Sequence, residues 1–224
     1  MRVVTLLGVF VLLCTHAAAQ SPSTWENHSL SPTFSQNPPR SILIMPPVNN
    51  SMDLRAAATF LATATRPLAE SGYYVIPVTL STEMFRQNGI TVAEEAHAIE
   101  LDRLQEIFGA DAALYITITN FGPRYRITYS VVEAAASAKL IDLRSGQELW
   151  SGRVWESEGS NRSLENSYLG RVLMLAVMDQ IANTFSDTWY DVGRRAAHSL
   201  LSAGKGRNSI PFGPYHLNYY MDNK

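Results

Sequence analysis

A single cysteine, Cys14, stands in 224 residues, so no disulfide can close within the chain and stability must come from a core. Charge is also scarce: charged residues make up 17% of the chain, and their formal sum is -2. That balance removes the electrostatic reason to expect nucleic acid or an anionic membrane surface as partner. Long apolar runs are missing too. The stretch Val3–Leu13 is far short of the roughly 20 residues that a spanning helix needs. A second apolar stretch, residues 168–185, is interrupted by Arg171, Asp179, Gln180 and Asn183, which argues against a span. No Gly-x-Ser-x-Gly elbow occurs, which excludes the nucleophile turn of an α/β-hydrolase. Gly204-Lys205-Gly206 follows a helical stretch instead of opening one, the wrong order for a phosphate cradle.

What is present begins with an export signal. Met1-Arg2 supplies a positive end, Val3–Leu13 an apolar centre, and Ala17-Ala18-Ala19 a small-residue cleavage pattern with the cut before Gln20. Cys14 closes the apolar run, where a lipidated cysteine would sit. Leu13 precedes it, at the position where lipoprotein processing normally needs a small residue. Cutting after Ala19 removes the thiol and releases a soluble protein; acylation of Cys14 leaves a tethered one. On sequence alone the Ala19 cut is preferred. Hydrophobic residues make up 46%, enough for one sizeable core. The expected organisation is a signal peptide over 1–19, a flexible tether over 20–38, a single α/β domain over 39–204 and a tail over 205–224.

Ile42-Leu43-Ile44-Met45, fenced by Pro38-Pro39 and Pro46-Pro47, reads as a short strand buried on both faces. Ser51 is the expected N-cap of a helix with Asp53 in its first turn, carrying Leu54, Ala57, Ala58, Leu61, Ala64 and Leu68 at helical spacing. Pro67 should kink or end it, and Gly72 suits a left-handed stop. Tyr73–Val78 reads as a second strand, parallel to the first through a right-handed crossover. Short helices are expected over 81–108, broken at Asn88-Gly89 and ended by Gly109. Leu114, Ile116 and Ile118 alternate with polar residues as a strand.

Phe121-Gly122-Pro123 reads as a turn into a long strand over 124–143. Its apolar parity changes partway, which predicts a bulge near Val131–Glu133. Asp142–Gly146 reads as a hairpin turn and Glu148–Trp155 as the last strand. A polar loop over 156–166 and a helix pair over 168–185 and 186–203 complete the domain. The tail, proline- and tyrosine-rich, is expected to lie strapped over the surface or loose.

Glu94, Glu95, His97 and Glu100 are the nearest thing to a metal cluster, since Glu94 and His97 share a helix face at i, i+3. A second Glu-x-x-His is missing, so a solvated helix face is the simpler reading. Adding Asp102 makes a carboxylate pair for acid–base work, without a defined pocket. His198 beside Arg194 and Arg195 reads as a surface histidine, and Arg124 with Arg126 as a strand edge. Leu173, Met174, Leu175, Val177 and Met178 make the 168–185 stretch apolar nearly all round. It is therefore either a central core helix or a subunit or partner interface.

Several blocks in fixed order resemble a family of Gram-negative lipoproteins assigned a domain of unknown function. They are Pro39–Leu43 with Pro46–Asn49, Pro67–Glu70 with Gly72–Val75, Glu83–Phe85 with Asn88-Gly89, Phe108–Ala112, Ala138–Leu140 with Asp142–Gly146, and Leu149-Trp150. Members carry Gly before the lipidated cysteine, where this chain has Leu13. The resemblance implies a mixed α/β sheet like the amino-terminal domain of TolB and the periplasmic domain of CsgG-type secretion lipoproteins. It brings no catalytic residue, cofactor or metal.

The expected function is therefore non-enzymatic. The chain would be an exported, periplasmic or outer-membrane-anchored protein that works by contact in assembly or secretion. Its partners would be envelope proteins, among them a CsgG-like lipoprotein, and a second copy of itself. Any membrane relation would run through the anchor alone. The alternative is a small periplasmic hydrolase or metal binder using the Glu94–Asp102 stretch.

Overall fold

The computed structural model describes residues 29–125, 130–160, 188–205 and 209–219. Cys14, Ala19 and Gln20 lie outside the described residues, as do Leu173, Met174, Leu175, Val177 and Met178.

The fold is mixed α/β, as the sequence indicates. Strands β1 (Ser29–Leu30), β2 (Ser41–Ile44), β3 (Val48–Asn49), β4 (Tyr74–Val75), β5 (Ala112–Tyr125), β6 (Ser130–Asp142) and β7 (Glu148–Ser160) form one sheet. The order is β1-β7-β6-β5-β2-β4, with β3 also on β5. β2 is parallel to both β4 and β5, while β5, β6 and β7 are antiparallel and β1 is antiparallel to β7. Pro46 and Pro47 explain why β2 and β3 are separate pieces along β5: neither proline can donate to the ladder.

Alternation along β2 sorts the core into two layers. Ile42 and Ile44 face α1 (Arg55–Glu70) and a helix over 188–201, here α5. Leu43 and Met45 face α2 (Val78–Gln87), α3 (Ala93–His97) and α4 (Leu101–Phe108). On the first side Phe60, Ala64 and Leu68 of α1 and Val192, Ala196 and Leu200 of α5 are fully buried. Phe60 meets Phe121 edge-on at 6.3 Å. Gly193 lets α5 settle between α1 and β5: a Cβ there would stand 2.7 Å from Thr59 and 2.9 Å from Phe121.

Several expectations are corrected. Part of the stretch read as a tether belongs to the fold, since β1 pairs with β7 and Phe34 is 1% exposed. Pro67 does not end α1, which runs on to Glu70 with Phe60, Ala64 and Leu68 holding it to the sheet. Ser51 does not cap it either; Leu54 is the cap position, and Asp53 Oδ1 accepts from the Arg55 amide at 2.9 Å. The second strand is only Tyr74–Val75, and Val78 already opens α2.

Phe121-Gly122-Pro123 is not a turn. It lies inside β5, with Phe121 and Pro123 paired to Ala134 and Val132. The irregularity falls between Ile118 and Asn120, leaving Thr119 as the extra residue, and not near Val131–Glu133. The edge position past Ile118, where β3 no longer pairs, is what accommodates Pro123. β7 continues to Ser160, through residues expected in a loop. Glu156 and Glu158 look polar and loop-like but bond α5: Ser199 Oγ donates to Glu156 at 2.8 Å and Arg195 to Glu158 at 2.6 Å.

The tail is a strap over residues 209–219. Gly213 N donates to Ser71 O at 2.8 Å, Tyr215 N to Gly72 O at 3.1 Å, and Tyr73 Oη to Pro211 O at 2.6 Å.

Candidate functional site

The structure disperses the Glu94–Asp102 stretch. α3 ends at His97 and α4 begins at Leu101, so the carboxylates sit on two short helices instead of one face. His97 turns inward: its Nε2 donates to Pro46 O at 2.8 Å, and its ring stands edge-on to Tyr115 at 4.9 Å. Burial holds the His97 imidazole below its ordinary pKa, against the opposing pull of the Pro46 carbonyl and Glu94. Glu94 and Glu95 point to solvent. Among the described residues, no three His, Cys, Asp or Glu side chains converge as metal ligands.

Glu100 and Asp102 line an open cleft of about 500 Å³ with Leu101, Leu143, Arg144, Ser145 and Gly146. The turn beside it is a self-bonded frame. Asp142 Oδ1 accepts from Arg144 N (3.0 Å), Ser145 N (2.7 Å) and Ser145 Oγ (2.9 Å), and Gly146 takes φ +70°. Arg144 is committed to Asp111 at 3.0 Å. Asp111 Oδ2 in turn accepts from Arg40 N (2.9 Å), Ser41 N (3.2 Å) and Ser41 Oγ (3.2 Å), fastening the start of β2 to that of β5. The cleft thus has carboxylates on one wall and a neutralised arginine on the other, with no nucleophile–base pair.

His198 accepts from Lys205 Nζ at 2.6 Å, and partial burial with that ammonium lowers its pKa. Ser199 faces Glu156, not His198, so no triad forms there. Gly204 packs under Phe212, with Lys205 exposed beyond it. Arg124 pairs with Glu133 at 2.8 Å; Arg126 lies outside the described residues.

The sheet itself offers a surface that sequence reasoning missed. On the α1–α5 side, Leu114, Ile116, Ile118, Ala134, Ala136, Ala138 and Val154 are buried. On the opposite side Tyr115, Thr117, Ala135, Ser137 and Trp155 are only partly covered, and Arg153 is exposed. The register sets them in rows across three strands: Tyr115–Lys139–Ser151, then Thr117–Ser137–Arg153, then Ala135–Trp155. Adjacent strands are about 4.8 Å apart, so this face is about 10 Å wide. Arg153 has no carboxylate partner within ion-pair distance among the described residues. Along the outer edge of β7, β1 covers only Trp150 and Ser151 among the described residues. Period-two alternation of Ser137, Arg153 and Trp155 was the available signal, but it cannot say which side a helix layer will cover.

Two sequence comparisons and one crystal structure agree on one relationship. The family model described as "Putative lipoprotein GNA1162-like" matches residues 31–215. "Putative lipoprotein NMB1124/NMB1162" of Neisseria meningitidis serogroup B is 46% identical over 182 residues, spanning 81% of this chain and 83% of its own length. The crystal structure of lipoprotein GNA1162 from Neisseria meningitidis aligns at 48% identity with a TM-score of 0.53, covering 65% of this chain and 99% of that one. A PelC dodecamer from Paraburkholderia phytofirmans aligns at 12% identity with a TM-score of 0.44, covering 80% and 99%.

Proposed function

The chain belongs to the family of GNA1162-like lipoproteins, and from that membership we propose that it is an envelope protein that works through its surfaces, not through a reactive group. One observation carries this reading: Arg153 and Trp155 stand on one face of β7, on a part of the sheet that no helix layer covers among the described residues, beyond Tyr115, which packs against His97 of α3. Tyr, Trp and Arg dominate the energetics of protein interfaces because each covers much area and keeps a polar handle. A partly covered tryptophan beside an arginine that has no carboxylate partner among the described residues has that composition.

The protein is exported by the segment ending at Ala19 and resides in the periplasm or at the periplasmic face of the outer membrane. A thioether-linked lipid at Cys14 is the alternative processing outcome, and intact mass of the mature protein separates the two. Its partners are envelope proteins, a CsgG-like lipoprotein among them, and it self-associates through Leu173, Met174, Leu175, Val177 and Met178. A sheet like that of the amino-terminal domain of TolB, the expectation from the sequence blocks, would fit a role in assembly or secretion.

The test is site-specific photo-cross-linking in living cells. A photoreactive side chain in place of Arg153 should capture a discrete envelope protein, whereas one in place of the exposed Lys205 should not. Equal capture at both positions, or none at 153, would count against the reading.

A further inference from the structure

The loop between β3 and α1 presents Met52 and Leu54 to solvent, 100% and 91% exposed. Water around two large, adjacent apolar side chains is a standing free-energy cost that a fold ordinarily removes. The loop is not loose. Asn49 Nδ2 donates to Asp53 O at 2.9 Å, and Asn49 Oδ1 accepts from Ser51 N (3.0 Å) and Ser51 Oγ (2.6 Å). The Asp53 carboxylate takes Arg55 Nε at 3.0 Å and Arg55 Nη2 at 2.8 Å, and the Arg55 guanidinium lies 3.6 Å over the Trp189 ring. A braced polar frame therefore holds both side chains outward.

The direction of the chain says what lies beyond them. β1 runs antiparallel to β7, with Ser29 opposite Ser151, so the chain enters β1 from the end of the sheet at which β7 finishes. The loop sits toward that same end: Asn50 N donates to Ile118 O, and Asp53 flanks Gly122 in the far half of β5. From Ser151 to Ser160 β7 rises by about 30 Å. The chain between Cys14 and Ser29 reaches at most about 50 Å. An anchored amino terminus would thus face the loop toward the bilayer.

We propose that Met52 and Leu54 insert into the surface of a phospholipid bilayer, with Asn50, Ser51 and Asp53 remaining among the headgroups. The direction of approach rests on the acylated form of the envelope reading above, in which Cys14 carries the lipid. A second copy fits the loop less well, because a stable protein interface buries at least about 1,200 Å² and two side chains fall far short. Interfacial insertion needs only a shallow apolar tip with a polar collar.

The experiment uses the full mature chain carrying Met52→Cys, labelled with an environment-sensitive fluorophore. In either mature form the introduced cysteine is the only free thiol. The control is Leu217→Cys, 94% exposed on the strap at the other end of α1. With vesicles of phosphatidylethanolamine and a minority of phosphatidylglycerol, the label at 52 should shift to the blue and be quenched by spin-labelled lipid, and the label at 217 should not. Met52→Ser with Leu54→Ser should lower vesicle affinity of the unacylated protein by roughly tenfold per side chain. A label at 52 that stays water-like on vesicles overturns the proposal. So does one that shifts with protein concentration alone, which would mean that a second copy covers the loop. Cell fractionation outside the envelope would refute the envelope reading without touching the vesicle result.

Discussion

Asp111 shows how one side chain can hold an end of the sheet. It ties Arg40, Ser41 and Arg144, so its removal leaves two backbone amides and a guanidinium short of a partner. Asp111→Ala should cost about 2 kcal/mol, read as a lower urea midpoint with an unchanged slope. Glu100→Gln, on the neighbouring cleft wall, should leave the midpoint where it is. His97 makes a pH prediction. Its folded-state pKa is lowered by burial, so between that value and the ordinary 6.5 the unfolded chain binds more protons. Its contribution to stability is therefore fully present above about pH 6.5 and declines as pH falls from there through the folded pKa. His97→Gln should flatten that part of the pH–stability curve; an unaltered slope would show that His97 is not its source. Sequence spacing could place His97 and Glu94 one turn apart, but not reveal that the Pro46 carbonyl would claim the ring.

At the scale of elements, the strap is an integral part of the fold. Gly213 passes so close to Gly72 that an added Cβ would collide with its carbonyl oxygen, which is backbone and cannot swing away. Gly213→Ala should release residues 210–219 at a cost of about 1–3 kcal/mol. Hydrogen exchange should then speed up at the Gly213 and Tyr215 amides while β5 and β6 stay protected. Loss of protection throughout the sheet would mean that the strap and the core unfold together. Gly193→Ala should lift α5 from Thr59 and Phe121 and lower the melting temperature. Much of this level was legible. Ile42–Met45, the Asp142–Gly146 turn and the Gly109 stop each declare themselves by local chemistry. The ends of β5 and β7 do not. Phe121, Gly122 and Pro123 carry turn propensity, and Glu156 and Glu158 carry loop polarity, yet pairing with β6 and bonds to α5 override both. Phe34 and Leu30 likewise sit in a polar stretch, and only distant partners decide their place.

For the whole molecule, the fold class and the family were readable because they rest on alternation and on blocks of residues in order. The open face of β6 and β7 was not, because which side of these strands a helix layer covers is settled by the crossover connections of the whole chain. We propose that this surface, and not the cleft with Glu100 and Asp102, does the protein's work. The most direct measurement is complementation of a deletion strain's envelope defect by paired variants. Arg153→Glu and Trp155→Ala should fail to restore the envelope while remaining folded and abundant, and Glu100→Gln with Asp102→Asn should restore it fully. Full rescue by the face variants, with rescue lost on replacing a single cleft carboxylate, would contradict the account.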